Sequence, residues 1–374
     1  MGKPVGEPHE DRDGDRVRNR ERGAAGLGAT QLAFWLAFSG VVGTGCGSET
    51  AGTPDQNPAD ILHPEATGDF AFSAEVPAAD DANPSDRDAS EDAPSSPFAL
   101  TVMTFNVMCS FCGGSEYDPW EDRIRYQADL IRRHAPDLIG LQELTFAEEV
   151  NEYLALNPDY EAVYYISDDP DAMLPAYPDQ TILYRKGRFD VVDSGFFWLS
   201  PTPDQPFSVG FSDGGQLPRL VGFVLFEQKA DGRRFYFANT HFDPNHPSQE
   251  KSVPLVYDRL SSLVSQHPLI FTGDFNLDPG EDGFVALTSG VPGHDWHFTL
   301  AYDIADERVV VTNLADPSTL NDRGRGIDLI LFAGAEFECP FWKVDYTTYG
   351  ESGRFPSDHF AISARLVESS PRNR

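Results

Sequence analysis

Leu269-Ile270-Phe271-Thr272-Gly273-Asp274-Phe275-Asn276 is the stretch that decides the fold. Its apolar and β-branched residues predict a buried strand over 268–273, and the polar Asp274 and Asn276 stand just where that strand stops. The layout recurs along the chain. Val102-Met103-Thr104-Phe105 runs into Asn106, Leu138-Ile139-Gly140-Leu141-Gln142 into Glu143, and Phe237-Ala238-Asn239-Thr240 into His241. Asp328 lies within Gly326-Ile327-Asp328-Leu329-Ile330, and Asp358-His359 opens a last apolar run over 359–367. Any one of these polar residues, alone, reads as a strand-end group satisfying nearby backbone. Backbone held in a sheet is rigid, however, so side chains at several strand ends are able to hold a preorganised site.

Working outward, further strands are expected over 100–107, 161–165, 180–184, 189–199, 220–229, 235–241 and 341–347. Helical spacing covers 120–134, with Ile124, Ala128 and Ile131 on adjoining faces and Pro136 as its stop. Helices are also expected over 146–156 and 252–266, the latter interrupted by Pro254. Strands alternating with a few helices, then strands in series, imply mixed sheets packed together with helices outside. No internal repeat is evident.

Thr104-Phe105-Asn106, Leu141-Gln142-Glu143, Asn239-Thr240-His241, Gly273-Asp274-Phe275-Asn276, Ile327-Asp328 and Ser357-Asp358-His359 occur in one order. In that order they resemble the endonuclease/exonuclease/phosphatase superfamily, which includes nucleases, inositol polyphosphate phosphatases and neutral sphingomyelinases. Ile182-Leu183-Tyr184-Arg185-Lys186 and Gly195-Phe196-Phe197-Trp198-Leu199-Ser200 look like its bacterial branch. One triplet is a weak signal; six in order, each at an expected strand end, are a strong one. The resemblance spans about 100–366 and implies an α/β four-layer sandwich: two packed mixed β-sheets flanked by helices.

It also implies a reaction, in-line attack of water on phosphorus without a covalent enzyme intermediate. A phosphoester resists attack because its oxygens repel hydroxide, and a Mg²⁺ ion on hard oxygen ligands neutralises that charge. Mn²⁺ is the expected substitute. By resemblance Glu143 holds the metal, Asn106 shares that role or contacts the phosphate, and Asp358 completes the acidic cluster as the candidate holder of a second metal. Asp274 orients or deprotonates the water, and Asn276 steadies phosphate or metal. His359 lies near the reacting phosphate with Asp328 bonded to it, and His241 stabilises phosphate charge or assists the leaving group. Which of His359 and Asp274 is the base stays open. Arg219 either reaches a substrate phosphate or forms a structural ion pair. Asp243 orients His241 or caps a turn, Trp198 is sheet core, and His294 and His297 are loop residues.

Charge narrows the substrate. The net value is −32, and residues 98–374 carry 21 basic against 42 acidic side chains, a balance of −21. Duplex binders present basic faces to phosphates, so extended DNA binding is disfavoured while local phosphate chemistry is not.

Residues 47–97 hold twelve acidic residues and one basic one, Arg87, among many Pro, Ala and Ser, the composition of a disordered, self-repelling linker. Ahead of it lie a basic stretch over 12–22, an apolar core around Leu32-Ala33-Phe34-Trp35-Leu36, and Gly43-Thr44-Gly45-Cys46. Residues 1–46 resemble a bacterial lipoprotein signal in which Cys46 is lipidated, with Gly43 where that pattern usually has Leu; ordinary cleavage and an uncleaved anchor are the alternatives. The catalytic domain is then 98–374, on the outer membrane or cell surface, or free in the periplasm or medium. Among Cys109, Cys112 and Cys339, export favours one structural disulfide, local or long-range, over a zinc site.

Two classes of function remain: a phosphodiester or phosphomonoester hydrolase, a nuclease among its variants, and a non-catalytic surface lipoprotein that binds ligand on the same scaffold. Specificity is expected in the segments 168–178 and 201–218, because it lives in loops around a shared centre. Oligomeric state is not legible.

Overall fold

The computed structural model describes residues 98–169, 174–211, 217–310 and 326–369; the expected signal over 1–46 and linker over 47–97 lie outside the described residues. The chain runs β1 (Ala99–Asn106), α1 (Trp120–His134), β2 (Leu138–Gln142), α2 (Ala147–Leu156), β3 (Tyr160–Ile166), β4 (Ala176–Arg185) and β5 (Phe189–Trp198). It continues through β6 (Leu220–Gln228), β7 (Arg234–His241), α3 (Ser248–Val264), β8 (Leu269–Asp274), α4 (Asp282–Ser289), β9 (Thr299–Leu300) and α5 (Ala301–Ile304). β10 (Ala305–Val309), β11 (Asp328–Ala333), β12 (Phe337–Asp345) and β13 (Ala361–Glu368) complete it.

Among the described residues the strands form two sheets, ordered β10-β12-β13-β1-β2-β4-β3 and β5-β6-β7-β8-β11-β9. Each has a parallel pair at its centre, β1 with β2 and β7 with β8, flanked by antiparallel neighbours. Parallel pairing sets two strand C-termini side by side. Asn106 therefore pairs with Gln142, next to Glu143, and His241 pairs with Asp274. Antiparallel β11 places its first residue, Asp328, opposite Asp274. β13 runs antiparallel to β1, so the turn before it, carrying Asp358 and His359, returns to the end of β1.

The pleat builds the layers, because successive side chains leave a strand on opposite faces. Leu100 and Val102 of β1 enter the core between the sheets with Ile182, Phe237, Ile270 and Ile362. Met103 and Phe105 point outward, against Ile124 and Ile131 of α1 and Val150 and Tyr153 of α2. On the other sheet Leu269 and Phe271 face Val253, Val256, Tyr257 and Leu260 of α3. Each such fully buried side chain contributes about 1.5–3 kcal/mol relative to exposure. The order helix, sheet, sheet, helix is the expected four-layer sandwich.

Toward the site the layer between the sheets turns polar. Gln142 Nε2 donates to Asn239 Oδ1 at 2.7 Å, and Asn239 Nδ2 donates to the carbonyls of Leu141 at 2.8 Å and Thr181 at 3.1 Å. Thr272 Oγ1 donates to the same Asn239 Oδ1 at 3.1 Å. One buried amide thus ties β7 to β2, β4 and β8. Gly140 marks the closest approach: a Cβ there meets Thr272 Oγ1 at 2.2 Å and Asn239 Oδ1 at 2.3 Å.

Several boundaries differ from expectation. α3 starts at Ser248 and contains Pro254, because the buried stripe Val253, Val256, Tyr257 and Leu260 outweighs the roughly 3 kcal/mol that an internal proline costs. β4 begins at Ala176 instead of 180, which brings Asp179 into the sheet, and β13 begins at Ala361, which leaves Asp358 and His359 in a turn. α4 is too short, at eight residues, to announce itself by periodicity.

Candidate active site

Asn106 and Glu143 stand at adjoining strand ends, and the asparagine joins the two sheets. Its Nδ2 donates to Glu143 Oε1 at 3.0 Å and to Asp274 Oδ2 at 3.1 Å, while its Oδ1 accepts the Met108 N–H at 3.0 Å. The other Glu143 oxygen, Oε2, accepts the Cys109 N–H at 2.9 Å. Glu143 has φ +72° and Asn276 φ +50°, left-handed backbone uncommon for residues with a Cβ. At Glu143 that conformation is held by Asp179, whose Oδ1 accepts the Glu143 N–H at 2.9 Å. At Asn276 it lets the backbone N–H fold back to Asp274 Oδ1 at 3.0 Å. Strain of this kind persists where surrounding bonds overdetermine it.

Two histidines converge on Asp274. His359 Nδ1 bonds Asp328 Oδ2 at 2.8 Å, and its Nε2 lies 3.8 Å from Asp274 Oδ2. Ser357 holds the turn in place: its Oγ donates to the Asn106 carbonyl at 2.7 Å and accepts the His359 N–H at 3.1 Å. Burial lowers the His359 pKa, but the charge and hydrogen bond of Asp328, then Asp274 and Asp358, outweigh it and raise the imidazole well above its ordinary value.

His241 approaches from the neighbouring sheet, with Nε2 3.5 Å from Asp274 Oδ2. Its Nδ1 has two neighbours, Asp179 Oδ1 at 3.0 Å and Arg219 Nη1 at 2.7 Å. A guanidinium only donates and a carboxylate only accepts, so these are alternatives: a protonated Nδ1 serves Asp179 and a bare one serves Arg219. Burial and the Arg219 charge lower the His241 pKa; Asp179 and Asp274 oppose them and leave it above the ordinary value. Arg219 Nη1 also donates to Asp179 Oδ2 at 3.1 Å. Burial works to raise the Asp179 carboxyl, yet His241, Arg219 and the Glu143 amide bring it down to about 2.

The donor set fits a hard divalent cation. Glu143 and Asp358 are half-buried carboxylates, and the Asp358 carboxyl is raised by burial and by repulsion from Glu143, against the pull of His359. A cation between them relieves that repulsion. Asn106 gives its two Nδ2 protons to Glu143 and Asp274, which fixes the spacing of those carboxylates. Donor atoms of Asp274, Asp328 and His359 also lie within 4.8 Å of one another, a group able to hold a cation. Cys109, Cys112 and Glu143 form a similar group, whose sulfurs are joined in a disulfide.

Of the residues expected from the sequence, Asn106, Glu143, His241, Asp274, Asp328, Asp358 and His359 gather at one end of the sandwich. Asn276 joins them through its main chain, its side-chain Nδ2 being given to the Phe242 carbonyl at 3.0 Å. Arg219 is buried in the ion pair with Asp179. Asp243 caps a turn, accepting from Asn245 N and Nδ2 at 2.8 Å each, and Trp198 is core at 2% exposure. His294 fastens its loop to α3 through Ser261 Oγ at 2.8 Å and Asp258 Oδ1 at 3.0 Å. That serine hydroxyl donates to the Tyr257 carbonyl and accepts from Trp296 Nε1, so it is a latch. Sequence reading missed Asp179: within Tyr177-Pro178-Asp179 it carries the signature of a turn, and only its position ahead of an apolar run hints at a strand. The segments 168–178 and 201–218 are described in part, and residues 170–173 and 212–216 within them lie outside the described residues.

A buried carboxylate thus lies between two imidazoles, beside further carboxylates, a set of groups able to move protons and hold a cation. The chain belongs to the Endonuclease/Exonuclease/phosphatase family, whose model matches residues 103–359 and whose members are phosphoester hydrolases. It is similar to an endonuclease/exonuclease/phosphatase family protein from Bacteroides thetaiotaomicron, at 29% identity and TM-score 0.62 over 73% of this chain and 99% of that one. It is equally similar to a mannosyl-6-phosphatase of Bacteroides thetaiotaomicron VPI-5482, at 29% identity and TM-score 0.60 over 72% of this chain and 99% of that one. An uncharacterised protein of Acanthamoeba polyphaga mimivirus is 28% identical over 168 residues, which is 42% of this chain and 60% of that relative's length.

Proposed function

We propose that this chain is an exported, divalent-metal-dependent phosphoester hydrolase that directs water in line at phosphorus and prefers a small phosphomonoester, such as a sugar phosphate, to duplex DNA. The observation that carries the reaction is the convergence of His241 Nε2 and His359 Nε2 on Asp274 Oδ2, at 3.5 and 3.8 Å. Asp274 accepts the proton of the attacking water. His359, held protonated by Asp328, faces the charge that builds on the phosphate oxygens. His241, tied to Asp179 through Nδ1, offers its Nε2 proton to the leaving oxygen. Asn106 Nδ2, bonded to Glu143 Oε1 and Asp274 Oδ2, holds those two carboxylates in register. Glu143 and Asp358 hold Mg²⁺, with Mn²⁺ as substitute, and the ion supplies charge neutralisation at the phosphate.

Two observations support the substrate class. The balance of −21 over residues 98–374 weighs against a long polyanion, and a relative 29% identical is a mannosyl-6-phosphatase. Export rests on the sequence ahead of Cys46, with membrane attachment through a lipid on that cysteine. Replacing Cys46 with Ser is expected to move the protein from the membrane fraction to the soluble one.

The test of the enzyme reading is Mg²⁺-dependent release of nitrophenol from nitrophenyl phosphate and its diester, in wild type, Glu143→Ala and His359→Ala. Activity lost in both variants supports it. Equal inertness of all three with every divalent metal makes the chain a binding protein on the same scaffold. A parallel panel of sugar phosphates, inositol phosphates, DNA, RNA and sphingomyelin decides the substrate, and turnover of DNA above that of sugar phosphates overturns the preference stated here.

A further inference from the structure

The loop after β1 has two faces. The carbonyls of Val107, Met108 and Cys109 turn inward to buried Arg123, whose Nη1 donates to the first two at 3.0 and 2.9 Å and whose Nη2 donates to the third at 2.9 Å. Gln127 Nε2 adds a bond to Val107 O at 2.9 Å and reaches Pro356 O at 2.8 Å, just ahead of Ser357. With those carbonyls facing in, two amides face the centre: Met108 N–H bonds Asn106 Oδ1, and Cys109 N–H bonds Glu143 Oε2. Met108, at φ +57°, makes the reversal. The loop is closed by the Cys109–Cys112 disulfide, across a turn in which the Cys112 N–H donates to Cys109 O at 3.0 Å. Cys109 is buried, whereas Cys112 is half-buried beside exposed Phe111, so Cys112 is the more accessible end of the bridge.

We infer that the Cys109–Cys112 disulfide is a positioning element for Glu143, and that thiol–disulfide exchange at it sets the affinity of the centre for its divalent cation. This rests on the reading of Glu143 as a ligand of that cation. In the exchange a thiolate of a dithiol reductant attacks Cys112 Sγ, and the S–S electron pair leaves on Cys109, which takes up a proton. The second thiol of the reductant then releases Cys112 as a thiol, and the reductant departs as a disulfide. Two electrons pass to the protein. With the bridge open, the loop loses its covalent tie at Cys109, the Cys109 amide rests on the Arg123 contacts alone, and its charge-assisted hydrogen bond to Glu143, already in left-handed backbone, weakens.

Residues that orient a metal ligand typically change affinity about 10- to 100-fold when lost. The measurement is Mn²⁺ binding by electron paramagnetic resonance to the full chain carrying Cys46→Ser and Cys339→Ala, so that only the pair remains. It is made oxidised, after reduction with dithiothreitol, after reoxidation, and in a Cys112→Ser version, with a thermal melt of each. The expected result is a Kd about 10- to 100-fold weaker on reduction and in Cys112→Ser, regained on reoxidation, with the domain still folded. A folded, reduced protein that binds Mn²⁺ within about twofold of the oxidised one overturns the inference, since ligand-orienting contacts act on a larger scale. Loss of the melting transition on reduction overturns it too, because the bridge then holds the domain and not the ligand. An oxidised protein that binds no Mn²⁺ is a different failure, that of the metal reading itself.

Discussion

Replacing Asp179 with Asn isolates the contribution of the one acidic residue that ties Glu143, His241 and Arg219 together. The amide keeps the shape and removes the charge. In the native fold the Asp179 carboxyl titrates at about 2 against an ordinary 3.8. At roughly 1.4 kcal/mol per unit, that displacement is a coupling of about 2–3 kcal/mol between the carboxylate and its surroundings. Its side chain is 13% exposed, so solvent screens little of it. Breaking a buried pair also leaves Arg219 charged without its partner, which brings the expected loss of stability at pH 7 to about 2–4 kcal/mol. A depressed carboxyl pKa stabilises the fold above its unfolded value and ceases to do so as pH falls through the folded one. The gap between wild type and Asp179→Asn is therefore widest above pH 4 and closes toward pH 2. Urea unfolding at a series of pH values reads this directly. His241 should respond as well: with Asp179 neutral, burial and the Arg219 charge go largely unopposed, the imidazole loses its proton more readily, and kcat falls by about 10²–10⁴ if it serves the leaving group. A variant within about 0.5 kcal/mol of wild type at pH 7, an ordinary surface effect, with an unchanged pH–rate profile would refute the reasoning.

Three further outcomes follow from the geometry. Gly140→Ala drives a methyl into Thr272 Oγ1 and Asn239 Oδ1 where the sheets meet, and should cost about 1–3 kcal/mol in denaturant unfolding; an unchanged midpoint means the sheets separate freely there. Asp328→Asn removes the group that lifts His359, so the alkaline limb of the pH–rate profile should move toward lower pH, and a limb that stays put assigns it elsewhere. The raised His359 pKa stabilises the fold at acid pH and ceases to do so as pH rises through it, so Asp328→Asn should also flatten stability on that side. Cys339 is 1% exposed, with its thiol pushed up to about 12 by burial, and should react with iodoacetamide only after unfolding.

Much of the architecture is legible because its signals are local. Dense apolar runs such as Leu100–Phe105 and Leu269–Phe271 report strands buried on both faces, and the Trp120–His134 helix is bounded by its own stripe and by Pro136. The polar residues at strand ends are visible for the same reason: they interrupt an apolar pattern. Gln142 and Asn239 are visible too, but as members of triplets; that their amides tie one sheet to the other emerges only when β2 and β7 face each other.

By itself, the sequence determined which apolar runs become strands and which seven polar side chains stand at or beside their ends. Tertiary structure alone decided how those ends meet. The two central parallel pairs, and the antiparallel return of β11 and β13, bring residues from 106 to 359 to one edge. Asp179, Arg219 and the Cys109–Cys112 loop then aim them. Local runs of residues record burial, whereas partner choice depends on contacts between positions tens to hundreds of residues apart, which no single stretch of chain encodes.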